Sequence, residues 1–453
     1  MQYAKKDTKC AMYLRGSSVV FVSPAPIDQY IIIPQYVTEI GFEAFLDRSD
    51  IVNVKIPNSV SILCSKSFYG CKSITDITIP ASVNKIGKSA FSNCCNLKNI
   101  TIPDSVNKIG SNAFYSCFSL QNIRISNNIF EIKDFTFMGC HAITSIIIPN
   151  SVTKLGVGVF QDCSSLTNII IPNSVVEIGK FAFSCCASLQ NLTISNNISK
   201  IYSHTFSGCS SLTDIIIPKN VTSIGFMAFT GCSSLSNITI PDSVTKIHKY
   251  AFSGCLSLSN ITIPNSVTKI GSMAFSDCLS ITNITIPNTN IILGNDIFLR
   301  CSSLTKIFIP NVIEIIGRNV LFGEKILNGI RLPESVKTLN NNTFIEHDIK
   351  TIIIHNNISN ICSYAFYNCS SLSNILIPYG VTEIGSWSFS NCSSLTDIII
   401  PDSVISIGDY AFSFCDSLKD VVISSKKNKK IGQRIFYGSN AKFKSTDNSI
   451  LFN

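Results

Sequence analysis

The strongest constraint on the fold of this chain is a 23-residue period. Prolines stand at positions 34, 57, 80, 103, 149, 172, 218, 241, 264, 287, 310 and 333, and every gap between them is 23 or 46 residues. Ser126 and Ser195 fill the two skipped positions, and a 22-residue step then leads to His355 before the period resumes at Pro378, Pro401 and Ser424. Self-similarity at this spacing is typical of a solenoid, which grows lengthwise and needs no single large core.

One representative unit, residues 255–277, reads CLSLSNITIPNSVTKIGSMAFSD. Leu258, Ile261 and Ile263 alternate with polar residues, which predicts a short strand, and the proline that follows ends the strand because it lacks an N–H donor. The next segment, S-V-x-x-I-G, predicts a turn with two apolar anchors. Its glycine predicts a tight turn, with positive φ in only some units. The last segment, x-x-A-F-x-x-C, predicts one or two helical turns.

Each unit is too small to bury a core alone, so neighbouring units must stack and bury their Leu, Ile, Val and Phe columns together. The expected fold is an α/β-type solenoid, a right-handed superhelix with a parallel sheet on its concave side and short helices or turns on its convex side. We predict an N-terminal cap at 1–29, about eighteen repeats at 30–436 and a C-terminal cap at 437–453. The pattern is irregular over 311–350, where a kink, a partner contact and simple drift are all open.

The repeats resemble a known family. The segments LTDIIIPKNVTSIGFMAFTGC (212–232) and LTDIIIPDSVISIGDYAFSFC (395–415) look like BspA-type leucine-rich repeats, and the similarity extends over about residues 30–436. This resemblance implies a leucine-rich-repeat solenoid with a parallel concave sheet. It also implies a role in cell-surface adhesion to host or matrix proteins.

Cysteine and histidine give little indication of chemistry. Fourteen of the nineteen cysteines occupy one column, three residues after the phenylalanine, which favours buried thiols that act as small apolar side chains. Zinc sites use closer spacings than one residue per 23, and the five histidines fall at different offsets in the repeat. We therefore expect no enzyme, no catalytic residue, no metal site and no cofactor.

The residues between the buried strand positions should face the concave side. The third strand position is Asn or Asp in most repeats, which fits either a hydrogen-bonded ladder of amides or a polar recognition strip. The fifth position varies and exposes apolar side chains, so it is the predicted binding face for a protein ligand. Self-association and simple strand propensity are the alternatives. The predicted binding residues are Lys55, Arg124, Ile147, Ile170, Ile216, Phe308, Arg331, Ile353, Leu376 and Ile399.

A second surface is predicted on the convex side, where Tyr364, Trp387 and Tyr410 form an aromatic patch that shields the wall or docks a partner. The net charge of +8 is concentrated in residues 1–15 and 419–453, so the repeats carry no basic stripe and nucleic acid is not an expected partner. No apolar run is long enough to span a bilayer. The start lacks a secretory signal, which favours the cytoplasm, whereas the family resemblance favours the cell surface.

Two functions follow from these patterns. The first is a non-enzymatic scaffold that binds protein through its concave face, with a surface adhesin as the form that the resemblance implies. The second is an intracellular adaptor that docks partners on its convex aromatic patch or at its basic C-terminal end.

Overall fold

A computed structural model describes residues 30–287, 289–304, 349–423 and 429–445, with short pieces at 2–3, 12–22, 306–308, 312–313, 315–316, 330–331, 338–339 and 343–346. The chain divides into two compact units, Met1–Ile238 and Thr239–Asn453. Each unit is a parallel β-solenoid in which one 23-residue repeat forms one coil.

The strands that begin in the first unit are short. They are β1 (Gln2–Tyr3), β2 (Met12–Arg15), β3 (Ser18–Val22), β4 (Tyr30–Ile32), β5 (Glu39–Ile40), β6 (Asn53–Lys55), β7 (Ile62–Leu63), β8 (Lys85–Ile86), β9 (Asn99–Thr101), β10 (Lys108–Ile109), β11 (Asn122–Arg124), β12 (Glu131–Ile132), β13 (Ser145–Ile147), β14 (Lys154–Leu155), β15 (Asn168–Ile170), β16 (Glu177–Ile178), β17 (Asn191–Thr193), β18 (Asp214–Ile216), β19 (Ser223–Ile224) and β20 (Asn237–Thr239).

The second unit repeats the same alternation of longer and shorter strands. Its strands are β21 (Lys246–Ile247), β22 (Asn260–Thr262), β23 (Lys269–Ile270), β24 (Asn283–Thr285), β25 (Ile292–Leu293), β26 (Lys306–Phe308), β27 (Val312–Ile313), β28 (Ile315–Ile316), β29 (Ile330–Arg331), β30 (Thr338–Leu339), β31 (Thr351–Ile353), β32 (Asn360–Ile361), β33 (Asn374–Leu376), β34 (Glu383–Ile384), β35 (Asp397–Ile400), β36 (Ser406–Ile407), β37 (Asp420–Ile423), β38 (Lys430–Ile431) and β39 (Lys442–Ser445).

The predicted strand is present in the repeats as the first wall of the coil. In β15, for example, Asn168 and Ile170 are exposed while Ile169 is buried, as the period-two alternation requires. β15 pairs in parallel with β13 and β17, each residue lying opposite the equivalent residue one repeat away. We call the outward surface of these longer strands the strand face.

The segment predicted as a turn carries a second, two-residue strand. Lys85 and Ile86 of β8 pair in parallel with Lys108 and Ile109 of β10, and the isoleucines face inward. Sequence reasoning missed this strand because two residues are too few to show an alternating pattern.

The predicted short helices are wrong, because the third wall consists of turns that bond from coil to coil. The N–H groups of Ser89, Phe91 and Asn93 donate to the carbonyls of Ser111, Ala113 and Tyr115 in the next coil, at 2.9, 2.8 and 2.7 Å. Ser89 and Asn93 have left-handed φ values of 55° and 61°. A helix of one turn would leave its first four N–H groups without partners, whereas this arrangement pairs alternate N–H groups with the adjacent coil.

The glycine after the second strand is needed for space. None of the described glycines at this position has a positive φ, contrary to the prediction for some coils. A Cβ on Gly110 would lie 2.3 Å from the backbone nitrogen of Lys88 in the preceding coil. The glycine therefore permits close approach of two backbones.

The interior of each unit is a set of continuous columns. The phenylalanine rings stack coil on coil, with centroids 5.3 Å apart for Phe68 and Phe91 and 5.5 Å apart for Phe91 and Phe114. In the second unit the Phe366 and Phe389 rings lie 5.0 Å apart. Such offset stacks add favourable ring contacts to the burial of apolar surface.

The two ends of the chain carry strands that extend the ladders. β3 pairs antiparallel with β2 and parallel with β5, so it continues the ladder of two-residue strands. β39, within the predicted C-terminal cap, pairs in parallel with β37 and continues the ladder of longer strands. The domain limits themselves, including the caps at 1–29 and 437–453, stay predictions. Most of the irregular segment 311–350 lies outside the described residues.

Candidate functional site

The strand face exposes large apolar side chains at the predicted fifth position. In the first unit Ile147, Ile170 and Ile216 are 85%, 69% and 83% exposed. In the second unit Ile353, Leu376 and Ile399 are 54%, 62% and 52% exposed. Ile147 lies opposite Ile170 in the ladder, and Ile353 lies opposite Leu376, so these side chains form contiguous rows.

The other predicted binding residues lie on the same strands. Lys55 ends β6 and Arg124 ends β11, and both are exposed. The backbone of Phe308 lies opposite Thr285, and that of Arg331 lies opposite Ile353. The side chains of Phe308 and Arg331 lie outside the described residues.

Sequence reasoning missed two exposed side chains at the start of the array. Tyr30 and Ile32 of β4 are both strongly exposed on the strand face. They occupy the third and fifth strand positions of the first repeat, so the repeat alignment could have identified them.

Two coils of the first unit differ from the rest because serine replaces the proline after the strand. We call residues 117–139 the Ser126 coil and residues 186–208 the Ser195 coil. In ordinary coils the serine two residues after the proline donates to a carbonyl of the preceding coil, as Ser105 Oγ does to Val83 at 2.7 Å. Ser126 and Ser195 make the equivalent bond from the proline position, to Val106 at 2.6 Å and to Val175 at 2.5 Å.

The asparagines that follow these serines also bond to the preceding coil. The N–H of Asn127 donates to Asp104 Oδ1, and the side-chain amide of Asn128 donates to the Asp104 carbonyl, at 2.9 and 2.7 Å. In the Ser195 coil Asn196 and Asn197 make the same two bonds to Asn173, at 2.9 and 2.7 Å. Both coils are thus attached firmly to the coil before them.

On the other side both coils separate from the coil that follows. Among the described residues β11 is not paired with β13, and β17 is not paired with β18. The central strand residues Ile123 and Leu192 are only half-buried, whereas those of β9, β13, β15 and β18 are buried. Both coils are therefore bonded to the preceding coil through side chains, and the strand face opens around their half-buried central residues.

The opening at the Ser195 coil is a groove of about 460 Å³ in the strand face. Thr193 lies at its centre, between the larger Ile170 and Ile216. The lining residues are Ile170, Ile171, Pro172, Asn173, Asn191, Leu192, Thr193, Ile194, Asn196, Asp214 and Ile216. We call it the Thr193 groove.

In the Ser126 coil Arg124 stands where the Ser195 coil has Thr193, and its side chain bonds back to the preceding coil. Arg124 Nη2 donates to Asp104 Oδ2 at 2.9 Å, and Nη1 donates to the Ile102 carbonyl at 3.4 Å. The pKa of the Asp104 carboxyl is lowered mainly by the hydrogen bond from the Asn127 N–H. The Arg124 guanidinium is the next largest cause.

The asparagine column forms a ladder only in places. Asn122 donates to Asn99, and Asn191 donates to Asn168, at 2.7 and 2.5 Å. Asn168 instead donates to Thr167, and Asn283 to Thr282, in their own coils. The column therefore combines coil-to-coil bonding with exposed amides that face solvent.

The convex aromatic patch is a stack of rings in the second unit. The Tyr364 and Trp387 centroids are 6.4 Å apart at an interplanar angle of 1°, and those of Trp387 and Tyr410 are 4.3 Å apart at 12°. Tyr437, which sequence reasoning missed, meets Tyr410 edge to face at 6.2 Å. Because the ring faces stack on one another, a partner would contact mainly the ring edges.

The predicted basic C-terminal end is only partly described. Lys429 Nζ donates to the carbonyls of Pro401, Asp402 and Val404, and burial lowers the pKa of this lysine. Lys429 therefore makes the carbonyl contact that serine makes in other coils. Lys426 and Lys427 lie outside the described residues.

The cysteine column is buried, as its regular position predicts. Thiols of this column donate to the phenylalanine carbonyl 26 residues earlier, as Cys94 does to Phe68 and Cys163 to Phe137 at 3.1 and 3.2 Å. Burial raises the pKa of Cys71 to about 12 and that of Cys140 well above its ordinary range. Thiols in this state are poor nucleophiles and poor metal ligands. Among the described residues, no group of three His, Cys, Asp or Glu side chains is placed to hold a metal ion.

The fold and the repeat together define a leucine-rich-repeat solenoid. A profile described as BspA type leucine rich repeat region (6 copies) matches residues 21–144, 130–238, 222–350 and 337–450. The chain therefore belongs to the BspA-type leucine-rich repeat family, which confirms the resemblance seen in the sequence. A helix of bilayer-spanning length and apolar character does not occur in the described part of the chain.

Solved structures that this chain resembles include several bacterial leucine-rich repeat proteins. A leucine-rich repeat protein from Bacteroides ovatus is 24% identical over 97% of this chain and 98% of that chain, with a TM-score of 0.49. A leucine rich cell surface protein from Faecalibacterium prausnitzii is 25% identical over 83% of this chain and 94% of that chain, with a TM-score of 0.41. A leucine-rich repeat protein from Eubacterium ventriosum is 22% identical over 87% and 95%, with a TM-score of 0.37. A search of curated proteins gave no match.

Proposed function

We propose that this protein is a non-enzymatic scaffold that binds another protein through its strand face. The observation that carries the proposal is the row of exposed isoleucines at Ile147, Ile170 and Ile216. Apolar side chains held on short paired strands lose little conformational entropy on binding, and exposed apolar surfaces of this kind usually mark interaction sites.

The family supports a form of this function at the cell surface, as an adhesin for host or matrix protein. The alternative is an intracellular adaptor that uses Tyr364, Trp387 and Tyr410 or the basic C-terminal end. The stacked ring faces and the carbonyl-bound Lys429 favour the strand face over that alternative. Surface labelling of intact source cells separates the two: a labelled protein supports the adhesin, and an unlabelled, soluble protein contradicts it.

Site-specific photocrosslinking tests the binding face. A photoreactive phenylalanine analogue at Ile170 should crosslink a partner protein in the native cell, whereas the same analogue at Val176 should not. Val176 is also exposed and lies in the same unit, but it precedes the second strand and is off the strand face. Adding Ile147→Asp and Ile216→Asp should abolish the crosslink from position 170. Identical crosslinked products from positions 170 and 176 would reject this face.

A further inference from the structure

Lysines gather on the second wall, which the two-residue strands form, in the same arrangement in each unit. The pattern is K-I-x-K in one coil followed by K-I-G-S in the next coil, at 246–249 and 269–272 and again at 85–88 and 108–111. We call Lys246, Lys249 and Lys269 the Lys246 cluster, and Lys85, Lys88 and Lys108 the Lys85 cluster. All six side chains are exposed.

The ladder of two-residue strands holds like charges next to one another. Lys246 of β21 lies directly opposite Lys269 of β23, and Lys85 of β8 lies directly opposite Lys108 of β10. Residues opposite each other on neighbouring strands are about 4.8 Å apart. Like charges in this position repel, so each cluster is stabilised when an anion lies between the lysines.

The chain supplies little negative charge near either cluster. Residues 243–276, around the Lys246 cluster, contain no aspartate or glutamate. Residues 77–130, around the Lys85 cluster, contain only Asp104, which forms an ion pair with Arg124. Within the described part of the chain, no lysine of either cluster forms an ion pair. Each cluster is therefore a local source of positive potential, which attracts anions.

His248, which lies between two lysines of the Lys246 cluster, responds to this potential. Burial lowers the pKa of His248 most, and the charges of Lys246 and Lys269 lower it further. An anion bound by these lysines would offset their charges and raise the pKa of His248 again. The histidine is thus an intrinsic probe of anion binding at this place.

The chemistry around the lysines favours a sulfated sugar chain over other anions. Thr245 and Thr268 precede the two strand lysines and are exposed, so hydroxyl groups lie beside the charges and can bond to sugar hydroxyls. Stable membrane attachment adds apolar side chains that insert, and single-stranded nucleic acid adds aromatic faces for base stacking. All six cations are lysines, whose flexible ammonium groups suit a tetrahedral sulfate, whereas the planar fork of arginine matches a carboxylate.

We propose that the Lys246 and Lys85 clusters each bind a sulfate group of a sulfated polysaccharide. The three ammonium groups of a cluster converge on the sulfate. A polymer that repeats its sulfate groups suits a chain that repeats its lysine cluster, since each contact raises the effective concentration for the next. These lysines lie off the strand face, so the inference goes beyond the proposed function and does not rest on it.

Calorimetric titration of the whole chain with a heparin tetrasaccharide tests the proposal, because so short a probe occupies one cluster at a time. The wild type should bind two tetrasaccharides. A single-cluster protein, in which the lysines of the Lys85 cluster are replaced by glutamine, should bind one. In that protein Lys246→Gln, Lys249→Gln and Lys269→Gln together should weaken binding at least about tenfold, the order by which a local charge cluster concentrates its ligand.

A charge-matched control separates the cluster from the net charge of the chain. It removes three cations from the single-cluster protein that the chain already pairs with carboxylates, by the changes Lys66→Gln, Lys154→Gln and Arg300→Gln. Its affinity for the tetrasaccharide should change little. NMR titration of the imidazole protons should show that the tetrasaccharide raises the pKa of His248. Thermal unfolding checks that every variant is folded.

Several results would overturn the sulfate sites. They are an equal loss of affinity in the charge-matched control, an unchanged pKa of His248, and binding of hyaluronan or poly-glutamate, which carry carboxylates alone, as tightly as heparin. Tighter binding of single-stranded DNA or phosphatidylserine vesicles through the same lysines would assign the clusters to nucleic acid or to a membrane instead.

The two proposals can fail separately. A variant without either cluster should still crosslink the native partner from position 170, and Ile147→Asp with Ile216→Asp should still bind the tetrasaccharide. Loss of heparin binding specificity with an intact crosslink removes the sulfate sites alone. A crosslink that is independent of the isoleucines, with intact tetrasaccharide binding, removes the strand-face function alone.

Discussion

The Ser126 and Ser195 coils make the same backbone contacts yet present different surfaces. Each draws its chain toward the preceding coil through one serine and two asparagines, and each is unpaired with the strand that follows. Arg124 bonds back to Asp104 and Ile102 of the preceding coil, whereas the shorter Thr193 lines a groove. The comparison shows that two coils with the same backbone contacts can present different surfaces through the residue at one exposed strand position.

The largest expected effect is on the reactivity of buried thiols, which tests whether the interior is equally inaccessible at the two coils. Cys140 and Cys209, the first residues of the two coils that follow, are both buried, and burial raises the pKa of each thiol well above its ordinary range. Both should react with iodoacetamide at pH 8 at least about a hundredfold more slowly in the folded protein than after unfolding, since the thiolate is the reacting form. The exposed Cys185 is the positive control. Rapid labelling of Cys209 alone, measured by mass spectrometry, would show that the Thr193 groove reaches the interior.

A second prediction concerns the serines themselves. Ser126→Ala and Ser195→Ala each leave a backbone carbonyl of the preceding coil without its hydroxyl donor, and each should lower the free energy of unfolding by about 1–3 kcal/mol. Because the two serines make equivalent bonds, the two losses should agree. Ser105→Ala, in an ordinary coil, provides the reference. Urea denaturation followed by circular dichroism measures all three, and a much smaller loss at one serine would break the equivalence.

A third prediction concerns the residue at which the two coils differ. Arg124→Thr removes an ion pair between two half-exposed side chains, so the free energy of unfolding should fall only slightly. Thr193→Arg with Asn173→Asp should recreate that pair in the Ser195 coil and should also change stability little. Urea denaturation measures both variants, and a large loss in either one would show that this position contributes to the packing of the coil.

The smallest expected effect is on the pKa of the Asp104 carboxyl group. The Asn127 N–H and the Arg124 guanidinium both lower the pKa of Asp104 from its ordinary value of 3.8. The stabilisation that this carboxylate gives is therefore present above pH 3.8 and lost as the pH falls through its lower folded-state pKa. In Arg124→Thr the pKa should rise but stay below 3.8, because the backbone donor remains. NMR titration of the Asp104 carboxyl carbon tests this, and an unchanged pKa would mean that the ion pair is absent in solution.

The sequence predicted the coil, its longer strand and its buried columns because each depends on a residue type that recurs every 23 positions. Ile170 and Ile216 could be placed on the strand face from their position in the repeat alone. The helices were predicted wrongly because A-F with flanking polar residues suits a helix as well as a turn. Only the adjacent coil, which supplies acceptors such as the Ala113 carbonyl, makes the turn the better solution.

The Thr193 groove could not be predicted from its own residues. Its opening depends on Ser195 and on Asn173 of the preceding coil, and its charge comes from Asp214 of the following one. The relevant signal was nevertheless in the sequence, since Ser-Asn-Asn-Ile replaces Pro-x-Ser-Val at both serine positions. Comparing positions 124 and 193 at those two places would have shown that the two coils carry different side chains on the strand face.

Bonding from coil to coil in the third wall also bears on how such a chain can change in length. Each coil offers its neighbours the same alternating donors and acceptors, as Phe91 to Ala113 and Phe160 to Ala182 illustrate at 2.8 Å each. Duplication or deletion of a whole repeat therefore conserves every backbone partner, and even the 22-residue step of this chain keeps Thr338 opposite Asn360. Unequal recombination between repeats can thus copy, move or delete a coil such as the Ser195 coil together with its surface, and so alter ligand recognition without a new fold.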